Sequence, residues 1–165
     1  AWRIAYCKVF YPLAYYTAFF SIRASGFSYE LMCQGREKLE HYLEDYRKRM
    51  DSLSNRELDT MRDMRIVQEM YARGYEFTPI DVYTAQAARF QIVNGKIMPA
   101  LSSIDGLGDR AAYAIVEAAK DGIFLSKEDF WQRTKVSKGV IDLMVNMGIL
   151  YGLPESNQLS LFDLL

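Results

Sequence analysis

Ile104-Asp105-Gly106-Leu107-Gly108-Asp109-Arg110-Ala111-Ala112 is the stretch whose reading decides the fold. An apolar residue, a glycine, a leucine and a second glycine lead into an alanine-rich run that continues through Ile115 and Ala118. Glycine reaches positive φ without a steric penalty, so the pattern predicts a tight turn feeding a helix. Such a turn aims backbone N–H groups at an anion beside the N-terminus of the following helix, where a phosphate would sit. Contacts of that kind ignore base sequence.

Downstream, Lys135-Val136-Ser137-Lys138-Gly139 leads into Val140-Ile141-Asp142-Leu143-Met144 and reads as a second, looser turn of the same type. Between the two, Ser126 with Asp129 is a helix cap, and Leu125 with Phe130 is expected to form its hydrophobic staple. The first turn resembles the helix-hairpin-helix motif, and the second would complete a tandem unit. The candidate DNA-binding residues are therefore Gly106, Leu107, Gly108, Asp109 and Arg110, with Lys135, Val136, Ser137, Lys138 and Gly139. Asp105 and Asp109 flank the first turn and partly offset Arg110, which leaves the second turn, with two lysines, the more phosphate-seeking of the pair. The alternative is that both turns only connect helices.

Upstream, Arg89-Phe90-Gln91-Ile92-Val93 faces Lys96-Ile97-Met98 across Asn94-Gly95, the signature of a type I′ hairpin. Tyr75 to Thr78 reads as a further short strand. Earlier still, Trp2, Ala5, Tyr6, Val9 and Phe10 share one helical face, and Pro12 sits where a second helix would begin. Leu13, Tyr16, Thr17 and Phe20 continue the spacing, so the aromatic stripe over residues 2–20 reads as core. After Ser25-Gly26, one long helix opened by Ser28 is expected to carry Leu39, Tyr42, Leu43, Tyr46 and Met50. Ser54 with Glu57 is a capping box for the next helix, striped by Leu58, Met61, Met64, Val67 and Tyr71 and ended by Gly74. The expected class is mainly α with a small β-hairpin.

Half of the 165 residues are hydrophobic and a quarter charged, which describes one or two globular domains with enough apolar mass for a core. The net charge of −1 confines any DNA contact to local geometry, since it provides no broad basic surface. Cys7, Cys33 and the single histidine His41 form neither a disulfide framework nor a metal-ligand pattern, in keeping with a reducing, cytoplasmic home. The longest apolar run, Tyr11 to Ile22, is too short and too rich in tyrosine to span a bilayer, so no membrane partner is expected. The chain begins at Ala1-Trp2 in mid-helix pattern, which suggests a piece of a longer protein.

Beyond the breaker Pro154, the end of the chain carries Gln158-Leu159-Ser160-Leu161-Phe162. Large apolar side chains on a free, flexible tail need a pocket on another protein, unless the tail folds back and buries Leu161 and Phe162. The pentapeptide resembles the sliding-clamp-binding motif of bacterial replication proteins, which implies the clamp (the beta subunit) as a partner.

The order of parts resembles the PolC-type alpha subunit of bacterial DNA polymerase III. The resemblance rests on Arg3-Ile4-Ala5-Tyr6 with Tyr11-Pro12-Leu13, the Ile104 to Ala112 turn, Phe124-Leu125-Ser126-Lys127-Glu128-Asp129, and Leu153-Pro154-Glu155-Ser156-Asn157. It implies a helical fingers-like region in residues 1–74, a strand and hairpin connection in 75–100, a tandem helix-hairpin-helix domain on duplex DNA in 101–150, and a clamp-binding tail in 151–165. It also implies a DNA-directed DNA polymerase as parent, with Mg2+ held by catalytic aspartates in the remainder of the polymerase chain. No cofactor and no catalytic residue is expected in this segment. Asp59 and Asp63, one turn apart, read as solvated positions rather than metal ligands. The competing readings are a noncatalytic DNA-repair or recombination factor and a helical interaction scaffold.

Overall fold

In the computed structural model, residues 1–156 are described. The chain opens with α1 (Trp2–Phe10) and α2 (Pro12–Ile22). Pro12 stands in the first turn of α2, where its missing N–H leaves nothing unpaired. Tyr16 and Phe20 of α2 are buried, but α1 buries none of its residues: Trp2 is 77% and Phe10 62% exposed. The core expected along residues 2–20 therefore stops at α2, because helical spacing reports an amphipathic face and not whether anything covers it. Polar groups hold α1 in place. Lys8 pairs with Glu69 at 2.8 Å, the Tyr16 hydroxyl donates to Glu69 at 2.5 Å, and Arg73 donates to the Lys8 carbonyl at 2.9 Å. Burial, then the Glu69 contact, push the Tyr16 phenol up to about 12.

The single long helix expected after Ser28 is two helices. Ser28 caps the one-turn α3 (Tyr29–Met32), and Gly35, at φ 97°, reverses the chain before α4 (Arg36–Lys48). Met50 lies beyond α4 in a 3₁₀ turn and is half exposed. Next comes α5 (Asn55–Ala72), opened by both halves of the capping box: Glu57 N–H donates to the Ser54 hydroxyl at 3.3 Å, and Ser54 N–H to the Glu57 carboxylate at 2.8 Å.

Asp63 on α5 overturns the expectation of a solvated position. It is only 5% exposed and accepts the Gly26 N–H at 2.8 Å. Gly26 comes that close only because it has no side chain, since a Cβ there would stand 2.4 Å from the Thr60 nitrogen. Burial raises the Asp63 carboxyl above its ordinary value, against the lowering effect of that hydrogen bond.

The hairpin has the anticipated register: β1 (Gln91–Val93) and β2 (Lys96–Met98) run antiparallel with Ile92 opposite Ile97. Asn94 and Gly95 both take positive φ, 50° and 76°, as a type I′ turn requires. The stretch from Tyr75 to Thr78 falls short of a strand. Ile97 N–H donates to the Glu76 carbonyl and Thr78 N–H to the Ile97 carbonyl, which makes one parallel bridge between Phe77 and Ile97.

Among the described residues, two hydrophobic cores result. The first gathers Tyr16, Phe20, Leu39, Leu43 and Met64 around Phe77 and Ile97. The second gathers Leu101, Ile104, Leu107, Ile115, Phe130 and Met144, under α6 (Asp109–Lys120), α7 (Lys127–Thr134) and α8 (Lys138–Asn146). Short as it is, α3 belongs to both, with Tyr29 in the second core and Met32 in the first.

Candidate nucleic-acid interface

The two turns named from the sequence match in backbone at the left-handed residue and at the N-cap. Gly106 (φ 80°) and Lys135 (φ 57°) are left-handed. Leu107 and Val136 follow and are buried at 5% and 2% exposure. Gly108 (φ −73°, ψ 162°) and Ser137 (φ −62°, ψ 147°) then sit in extended N-cap conformation before α6 and α8. Each turn is thus an apolar peg driven into the second core, with a helix N-terminus opening on its outer side. The hairpins also lie side by side, since a Cβ added at Gly106 would stand 3.5 Å from the Val140 side chain of α8.

A helix leaves its first N–H groups without intrahelical partners, so what fills them shows what each N-terminus is for. At α7 they are filled from within: Asp129 N–H donates to the Ser126 hydroxyl, Lys127 N–H to the Pro154 carbonyl, and Glu128 N–H to the Glu155 carbonyl. At α6 and α8 no side chain caps the helix, and the N–H groups of Asp109, Arg110, Lys138 and Gly139 find no acceptor among the described residues. Arg110 and Lys138 are exposed and make no ion pair there either. The result is two exposed pairs of N–H donors, each beside an uncommitted cation, on adjoining turns.

Other charges near the turns are already engaged. Arg133 donates to the carbonyls of Ala118, Gly122 and Ile123, so it closes the end of α6 and does not face outward. Lys135 reaches over the Trp131 ring at 5.5 Å. Asp105 points away from the first turn toward α3, accepting the Ser28 hydroxyl at 2.7 Å. Sequence spacing missed that last contact, because its partner is remote in the chain.

Two neighbouring expectations change. The staple on α7 is Phe124 against Phe130, with rings 4.8 Å apart, while Leu125 is 59% exposed. Ser126 is fully buried and therefore fixes which flanking residue turns inward. The root of the tail is tied to α7 by the Pro154 and Glu155 carbonyls and by a Lys127–Glu155 ion pair. Gln158, Leu159, Ser160, Leu161 and Phe162 lie outside the described residues.

Among the described residues no three His, Cys, Asp or Glu side chains come together in a way that would hold a metal ion. Asp63 is turned inward to Gly26, and Asp59 pairs with Arg62 at 2.9 Å. Nor is any described helix long and apolar enough to cross a membrane.

The helix-hairpin-helix motif model matches residues 74–159. The chain is 44% identical over 97% of its length to the PolC-type DNA polymerase III of Clostridium perfringens, of which it covers 11%. It is 40% identical over 98% of its length to that of Caldanaerobacter subterraneus subsp. tengcongensis, covering 12%, and 40% over 99% to that of Streptococcus pneumoniae serotype 2, covering 11%. The chain thus spans about a tenth of the length of these relatives.

Proposed function

Because the chain belongs to the helix-hairpin-helix family, we propose that its two turns grip the backbone of duplex DNA without reading its sequence, as part of a PolC-type replicative polymerase. The observation that carries this reading is the pair of matched turns, each leaving its helix N-terminus uncapped beside Arg110 or Lys138. Phosphate oxygens fit such donors, which are fixed in place before DNA arrives and add the partial positive charge of the helix end to a full one. With a net charge of −1 overall, attachment depends on these local donors and stays weak.

Similarity over nearly the whole chain to polymerase relatives favours this reading over a noncatalytic repair factor. In it, residues 1–74 are a helical piece of the fingers, 75–100 a connection, 101–150 the duplex-binding unit and 151–165 the tail. Catalytic carboxylates and their Mg2+ belong to the remainder of the longer chain. That remainder would also cover the apolar face of α1, where Trp2, Phe10 and Tyr11 stand in solvent. The tail Gln158–Phe162 would seat Leu159, Leu161 and Phe162 in an apolar groove of the sliding clamp, with Gln158 hydrogen-bonding at its edge. Gln158 follows the anchored Glu155 within a reach of about 10 Å, so the tether is short and recapture after release is favoured.

Two measurements test the reading. Lys138→Ala should weaken duplex binding equally for all sequences and lower the salt slope by about 1; a sequence-selective loss would refute backbone binding. A Leu161→Ala, Phe162→Ala double change should abolish clamp binding with thermal unfolding nearly unchanged, and equal clamp affinity would sink the docking assignment.

A further inference from the structure

A carboxylate beside a phosphate site should hurt binding, and Asp105 immediately precedes Gly106 of the first turn. Its contacts give it another role. One carboxylate oxygen accepts the Ser28 hydroxyl proton at 2.7 Å and the Glu30 N–H at 3.2 Å. Ser28 in turn accepts the Leu31 N–H at 3.3 Å, so Asp105 and Ser28 together fill two of the open donors at the start of α3. The residue between Ile104 and Gly106 is thereby fastened to a helix that enters both cores.

Between its two buried ends, the turn around Asp105 is lightly held. Leu107 N–H donates to the Ile104 carbonyl at 3.0 Å, and Gly106 at φ 80° is the third residue of that four-residue turn, the type II pattern. Leu107 pegs one end, but both glycines are exposed and Gly108 has no Cβ to pack. Ile104, 1% exposed, pegs the other end, and between the two pegs the Asp105 side chain ties the turn to α3. It also turns the negative charge from the outer side of Gly108 to the start of α3.

We propose that Asp105 is a positioning residue for the first hairpin: by capping α3 it holds the Gly106–Arg110 turn in its binding geometry and keeps its own charge off the phosphate. The proposal rests on the duplex-binding reading for its affinity consequence, but not for its structural one. It reverses the sign expected from charge alone. Removing a carboxylate near a phosphate should strengthen binding, whereas removing a strut should weaken it.

The test uses the whole chain in duplex titrations and amide hydrogen exchange, with far-UV circular dichroism to establish that each variant is folded. Asp105→Ala should weaken duplex binding about three- to tenfold, the scale of losing a structural hydrogen bond. Ser28→Ala, which changes no charge and lies on another element, should weaken it in the same direction, and the double change should add little to either alone. Asp105→Asn, which can still accept from the Ser28 hydroxyl, should recover most of the loss. In Asp105→Ala the amides of Leu107–Arg110 should exchange faster while those of Val136–Gly139 stay as they were. Tighter or unchanged duplex binding by Asp105→Ala, with Lys138→Ala still weakening it, would overturn the proposal. If Lys138→Ala has no effect either, the duplex-binding reading fails instead, and the exchange rates alone decide: unchanged rates at Leu107–Arg110 refute the strut.

Discussion

The two hairpins build a left-handed residue, a buried peg and an extended N-cap from different residues, and the contrast separates what the turns share from what differs at their surfaces. The first uses Gly106 at the left-handed position, where glycine bears no steric penalty. The second uses Lys135 there, at φ 57°, with its ammonium over Trp131. The first caps with Gly108 and is stayed by Asp105; the second caps with Ser137, whose hydroxyl is not used on its own helix. What stays constant is the buried peg and the uncapped helix N-terminus. The peg anchors the turn, the N–H groups beyond it stay open, and the left-handed residue differs in chemistry between the two.

Truncating the pegs gives the largest expected effects. Leu107→Ala should cost about 2–4 kcal/mol and Val136→Ala about 1 kcal/mol less, since one carbon fewer leaves the core. Chemical denaturation checks this, and a larger loss at Val136 would mean that the second turn is the more tightly supported one. Smaller effects of opposite sign are expected one position earlier. Gly106→Ala should destabilise by about 1 kcal/mol through left-handed strain alone, because the added Cβ would meet Val140 only at an ordinary 3.5 Å. Lys135→Gly should raise stability by a few tenths of a kcal/mol, the relief of strain being offset in part by a more flexible unfolded chain. If both changes destabilise equally in thermal unfolding, the cation–ring contact at Trp131 is holding the second turn as firmly as glycine holds the first.

Much of this was readable from local pattern. Asn94-Gly95 forces positive φ on two successive residues and so dictates the hairpin. Ser54-Glu57 and Ser126-Asp129 close hydrogen-bonded rings within one turn, where spacing is geometry. The Gly106 and Lys135 turns also followed from spacing, even though their outward cations did not reveal which neighbouring charges were spent. The misses share a cause. Asp63 looked like a solvated partner of Asp59 because nothing nearby in the chain announces that Gly26 will press its N–H against α5. The break at Gly35 was hidden by helical spacing resuming in α4 with its own phase. Leu125 reads as the staple from its place just before the Ser126 cap, and only packing shows that Phe124 fills that role.

From the sequence alone came the turns, the caps, the hairpin register and the succession of amphipathic segments, all set by backbone sterics and hydrogen bonds among near neighbours. Tertiary structure alone decided that α1 keeps its aromatic face in solvent, that Asp63 is buried and that Asp105 turns to α3 and away from its own turn. Those outcomes depend on which distant group arrives to satisfy a donor or cover a surface, and neither charge nor periodicity along one segment encodes that arrival.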